Sequence, residues 1–124
     1  VVGYPLKKNT MESKETIEKL IKVLDEFKKL DPEMQVQTMI AYLYPCTASK
    51  DKPMTIKKIA QLSGMQQSSA SRNVMAHCEI NRARKKGHDT LRTFENPMYR
   101  IEKNVELTTK GEWLRDKLVD LMNT

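Results

Sequence analysis

The residues best suited to chemistry lie close together in the middle of the chain. Gln66, Gln67, Ser68, Ser71 and Arg72 crowd hydrogen-bonding side chains into one short segment. If that segment is helical, Gln67, Ser68, Ser71 and Arg72 share a face, and Ala70 and Val74 share the opposite one. Amide and guanidinium groups pair with base edges in a DNA major groove, and hydroxyls serve bases and phosphates alike. A little further on, Arg82, Arg84, Lys85 and Lys86 form a basic run that ends at Gly87, with His88 and Arg92 beyond it. Such a run suits phosphate oxygens, although a solvated loop carries the same charges with no partner.

Other chemistries find less support. There is no Gly-rich phosphate loop, no paired carboxylates beside a base and no nucleophile elbow, so no enzyme is expected. Cys46 and Cys78 cannot build a disulfide framework, and a reducing, cytoplasmic location is the expectation. Both thiols are read as small hydrophobic groups rather than as a redox switch. His77 and His88 stand in no ligand spacing with them, so neither a metal nor a cofactor is expected. No apolar run reaches membrane-spanning length, and no membrane partner is expected.

The chain of 124 residues fits one domain, and 22 Lys and Arg against 16 Asp and Glu give a net charge of +6. The total alone decides little. Its location is more telling: residues 64–104 hold eight cations and four anions, whereas residues 1–31 and 105–124 are each within one charge of neutral.

Several elements must position these groups. Residues 1–12 read as a flexible N-terminal arm or expression remnant, and residues 13–124 as one domain. A first amphipathic helix, capped by Ser13, carries Ile17, Leu20, Ile21, Leu24 and Phe27 at helical spacing. Asp31-Pro32 is read as the start of a second helix, apolar around most of its girth and ended by Pro45. Met54 is a lone strand residue before a third helix capped by Thr55, which Ser63-Gly64 stops. A fourth helix runs from about Gln66 to Glu79. Thr90–Glu95 and Met98–Leu107 read as strands turning at Asn96-Pro97. A last helix bears Trp113, Leu114, Leu118, Leu121 and Met122. The fold class is mainly α with a small β wing, in the order α-α-α-α-β-β-α.

The stretch Ile59-Ala60-Gln61-Leu62-Ser63-Gly64-Met65-Gln66-Gln67-Ser68-Ser69-Ala70-Ser71-Arg72-Asn73-Val74 resembles the helix-turn-helix of DNA-binding proteins. Ala60 is small where the second helix crosses, Gly64 suits a positive-φ turn, and Met65 can plug the angle between the helices. Downstream, Val105-Glu106-Leu107-Thr108-Thr109-Lys110-Gly111 matches the "Leu-Thr-x-x-Gly" element of MarR-type regulators, and residues 31–122 resemble their winged-helix domain. Two differences stand out: Tyr99 to Lys103 has Arg100 but no Asp-x-Arg pair, and one closing helix stands where the family usually has two.

The resemblance implies a sequence-specific double-stranded DNA-binding transcription regulator acting as a homodimer. Its recognition helix would enter the major groove through Gln66, Gln67, Ser68, Ser71 and Arg72. Arg82, Arg84, Lys85, Lys86 and Arg92, with His88, would form a basic approach or wing on the backbone or minor groove. Dimerisation would use Ile17, Leu20, Leu24, Leu114, Leu118 and Leu121 on the terminal helices. A small-molecule effector has no support in the residues. The alternative is a winged-helix protein-interaction module inside a transcription or replication complex.

Overall fold

The computed structural model describes residues 3–4, 10–80, 85–98 and 102–124. Helix α1 (Met11–Leu30) starts earlier than the sequence suggests. Thr10, not Ser13, is its N-cap, with Thr10 Oγ1 accepting from the Ser13 amide at 3.1 Å. Met11 and Glu12 are therefore helical rather than part of an arm. Asp31 then closes α1 instead of opening the next helix, its amide bonding the Phe27 carbonyl at 3.1 Å. The Asp31 carboxylate accepts from the Glu33 amide at 2.9 Å, a local side-chain turn that competes with helix initiation.

Helix α2 (Val36–Cys46) consequently begins later than expected. Pro45 lies in its last turn, and Cys46 is its last residue. Only one face is buried, through Ala41, Tyr42 and Pro45, while Val36 and Leu43 are exposed. The apolar girth read from the sequence is thus only partly used. Tyr42 is fully buried and its hydroxyl donates to the Gly111 carbonyl at 2.6 Å, tying α2 to the last helix.

Strand β1 (Met54–Thr55) leads directly into α3 (Ile56–Ser63), and Thr55 Oγ1 caps that helix by accepting from the Lys58 amide. Gly64 follows with φ +75°, a left-handed turn that residues with a Cβ adopt only at a cost of roughly 1 kcal/mol. Helix α4 (Gln67–Ala76) leaves at the angle this turn sets. Strands β2 (Leu91–Glu95) and β3 (Lys103–Leu107) pair antiparallel from Leu91↔Leu107 to Glu95↔Lys103. Met54 pairs with Val105, so the sheet has three strands in the order β1-β3-β2.

Helix α5 (Thr109–Met122) is capped by Thr108, whose Oγ1 accepts from the Gly111 amide at 3.0 Å. A side chain at Gly111 would place its Cβ 2.0 Å from the Thr90 carbonyl, so the last helix approaches β2 too closely for any other residue. The single core joins Phe27 of α1, Tyr42 of α2, Ile59 of α3, Val74 of α4, Leu91 and Val105 of the sheet, and Leu114 and Leu118 of α5. The architecture is mainly α with a small antiparallel wing, β1 being the one element added to the expected order.

Candidate nucleic-acid interface

Helices α3 and α4 and the turn at Gly64 form a helix-turn-helix. Ala60, Ala70 and Val74 are buried at the crossing, and Met65 packs against them. Burial of that face turns the other side of α4 outward. Gln66, Gln67, Ser68 and Arg72 are exposed there and Ser71 is half-buried. Gln66 is the N-cap but makes no side-chain cap, and the first helical bond runs from the Ala70 amide to its carbonyl at 2.9 Å. The leading amides of α4 thus face solvent, an arrangement that favours anions. Arg72 takes no ion pair among the described residues. Lys57 and Lys58 are exposed on the neighbouring α3.

The remaining expected residues divide. Arg82 and Arg84 lie outside the described residues, as does Arg100. Lys85 and Lys86 are exposed, but they are not on the wing. They belong to the connection after α4, whose base is closed by the Ile80↔Lys86 bridge and by the Gly87 amide on the Glu79 carbonyl at 2.9 Å. On the wing hairpin, Arg92 lies on β2 and Lys103 opens β3, with Phe94-Glu95-Asn96-Pro97-Met98 leading toward the tip. Of the cations expected on the approach or wing, Lys85 and Lys86 thus lie at the foot of α4.

Arg92 is also not brought to α4. It pairs with Glu106 across β2 and β3, and lines a cleft with Pro45, Glu112 and Arg115. Strand alternation explains this: Leu91 points into the core, so Arg92 points to the other face of the sheet. His88 is half-buried against His77, with ring centroids 5.3 Å apart, and burial pushes its pKa below the usual value. It is a poor phosphate cation.

One polar set escaped the sequence reading. Ser69, Asn73 and His77 recur every four residues on the α4 side that faces α2, a spacing that was available as a signal. Thr38 Oγ1 donates to Asn73 Oδ1 at 2.7 Å, and Asn73 Nδ2 donates to the Ser69 carbonyl at 2.9 Å. His77 is fully buried. Its Nε2 lies 2.6 Å from the Thr38 carbonyl and must donate, so Nδ1 accepts from Thr90 Oγ1 at 3.0 Å. Burial lowers the His77 pKa to about 4 and keeps the ring neutral. Cys46 and Cys78 are half-buried and buried, and burial raises both thiols, Cys46 to about 11, which disfavours the reactive thiolate.

The terminal helices separate into two surfaces. Leu114 and Leu118 are only 4% and 7% exposed, because α5 packs them into the chain's own core. They are therefore removed from the expected dimer contact. Ile17, Leu20, Ile21 and Leu24 remain 57%, 49%, 51% and 41% exposed on α1, and Leu121 is half-buried. Among the described residues, no helix is long and apolar enough to cross a membrane.

This arrangement of helix-turn-helix, three-stranded wing and flanking helices is the winged-helix fold of MarR-type regulators. No protein-family model matches the sequence, and no curated protein matches it. Among solved structures, the chain is similar to S. aureus MepR in its complex with DNA, with a TM-score of 0.67 and 17% identity over 91% of this chain and 80% of that one. A MepR mutant bound to an oligodeoxyribonucleotide gives 0.70 and 14% over 96% and 78%. A mutant of E. coli MarR gives 0.59 and 13% over 98% and 80%.

Proposed function

We propose that this chain is a sequence-specific double-stranded DNA-binding regulator of transcription that acts as a homodimer. The observation that carries the reading is the outward row of α4. Gln67, Ser68, Ser71 and Arg72 present donors and acceptors on the second helix of a helix-turn-helix, beside solvent-facing amides. A docking face for another protein would be more apolar at its centre. In this reading α4 enters the major groove, and Arg72 bonds guanine or clamps a phosphate. Lys85 and Lys86, with Arg82 and Arg84, supply the salt-sensitive contribution along the backbone. The likeness in fold to MepR, solved on DNA, supports this.

The homodimer rests on the apolar stripe of α1, which stays exposed among the described residues. Two copies would present two recognition helices to two half-sites. Non-enzymatic action and a soluble, cytoplasmic location accompany this reading.

Selection of bound sequences from a random duplex pool tests it directly. A palindromic winner is expected, with affinity that falls steeply as salt rises. Reversing the charge at Lys85 and Lys86 should weaken binding on every duplex and flatten the salt dependence. No enrichment over the input pool would favour the protein-interaction module instead.

A further inference from the structure

Helix α4 buries only small apolar side chains. Of its ten residues only Ala70 and Val74 are buried, and both are small. The Gly64 turn and these small side chains set the angle of α4 and its distance from the core, and directional bonds can fix its roll and slide more tightly. Reading base edges demands both, because hydrogen-bond geometry fails within a fraction of an ångström. Directional bonds from a second helix supply what the apolar contact lacks.

Those bonds converge on one residue. Thr38 of α2 donates its hydroxyl to Asn73 Oδ1 at 2.7 Å and accepts at its carbonyl from His77 Nε2 at 2.6 Å. Asn73 and His77 lie one turn apart, so Thr38 grips α4 at two successive levels. The chain of bonds then continues into the wing. His77 Nδ1 meets the Thr90 hydroxyl, and the His77 carbonyl accepts from the Thr90 amide at 2.8 Å and from the Leu91 amide at 3.0 Å. The Thr90 carbonyl in turn accepts from the Thr108 amide at 3.1 Å, where β3 ends and α5 begins.

We infer that Thr38, through Asn73 and His77, is the positioning residue that fixes the recognition helix against the wing, and that it governs discrimination between DNA sequences rather than overall affinity. The inference rests on the proposed DNA-binding function. Backbone contacts tolerate a small rotation of α4, because a lysine or arginine can follow a phosphate. Base contacts from Gln67 and Arg72 do not, because their partners are fixed in the groove.

The test compares Thr38→Val with Thr38→Ser on two probes: the duplex selected by the wild-type protein and an unrelated duplex of equal length. Valine keeps the shape and removes the hydroxyl, whereas serine restores it. Thr38→Val is expected to lose about tenfold in affinity on the selected duplex and to hold its affinity on the unrelated one. Thr38→Ser should keep the wild-type ratio. Lost stability alone lowers both affinities together, so the ratio separates positioning from simple unfolding. Should Thr38→Val fail to fold, Asn73→Leu removes the acceptor on α4 at similar size and is read the same way. Equal loss on both duplexes, or no loss on either, overturns the inference and leaves the proposed function standing. A wild type that enriches no duplex overturns both.

Discussion

The outer face of α1 and the outer face of α4 are both exposed helical surfaces, and their chemistry is opposite. On α1, Ile17, Leu20, Ile21 and Leu24 leave large apolar side chains in solvent, although Val23, Phe27 and Leu30 of the same helix already serve the core. On α4, Gln67, Ser68 and Arg72 are exposed with their hydrogen-bonding groups turned outward. Water covers the second surface at no cost, whereas the first leaves large apolar side chains unburied. In the proposed function the two surfaces meet different partners: the apolar stripe a second copy of the chain, and the polar row a groove lined with donors and acceptors.

The contrast can be broken from either side. Replacing Leu20 and Leu24 together with Asp should give the largest effect. The protein should run as a monomer in light scattering, with roughly hundredfold weaker binding to a two-half-site duplex, because the second half-site contact is no longer intramolecular. A dimer that survives those charges would place the subunit contact elsewhere. Leu118→Ala sharpens the boundary of the stripe. It should lower stability by roughly 2–5 kcal/mol, read from urea melts, and leave the mass of the assembly unchanged.

A third experiment probes the buried support of α4. The His77 pKa falls from 6.5 in the unfolded chain to about 4 in the fold. The unfolded state therefore binds the extra proton first as pH drops. Stability present above pH 6.5 should decline by roughly 3 kcal/mol on approach to pH 4. His77→Gln should flatten that slope in urea midpoints taken across the window, and an unchanged slope would assign the pH dependence to other groups. The smallest effect is expected at the outer row itself. Gln67→Ala should cost about tenfold on the selected duplex and little on an unrelated one. Equal loss on both would turn Gln67 into a backbone contact.

Much of the fold was legible because its signals are local. Gly64, the Thr55 cap, and the Thr108–Gly111 pair of the Leu-Thr-x-x-Gly element all act within one turn of themselves, and each sits where the sequence suggested. The misjudged features are those that depend on distant partners. Ser13 resembles a cap as well as Thr10 does, and the choice is made by where the helix begins. Leu114 and Leu118 look identical to interface residues until α5 is packed on α1 and β3. Arg92 looks like a phosphate ligand until strand register brings Glu106 beside it. The polar stripe of Ser69, Asn73 and His77 has meaning only with Thr38, which lies 35 residues before Asn73 and 39 before His77.

The closed base of the basic segment has a consequence for how this molecule can change. Beyond the end of α4, Ile80 and Lys86 are bridged, and the Gly87 amide fastens the returning chain to Glu79. The exposed side chains of Lys85 and Lys86 can therefore change charge without moving α4 or β2, so in the proposed function grip on the phosphate backbone is tuned separately from the sequence that is read.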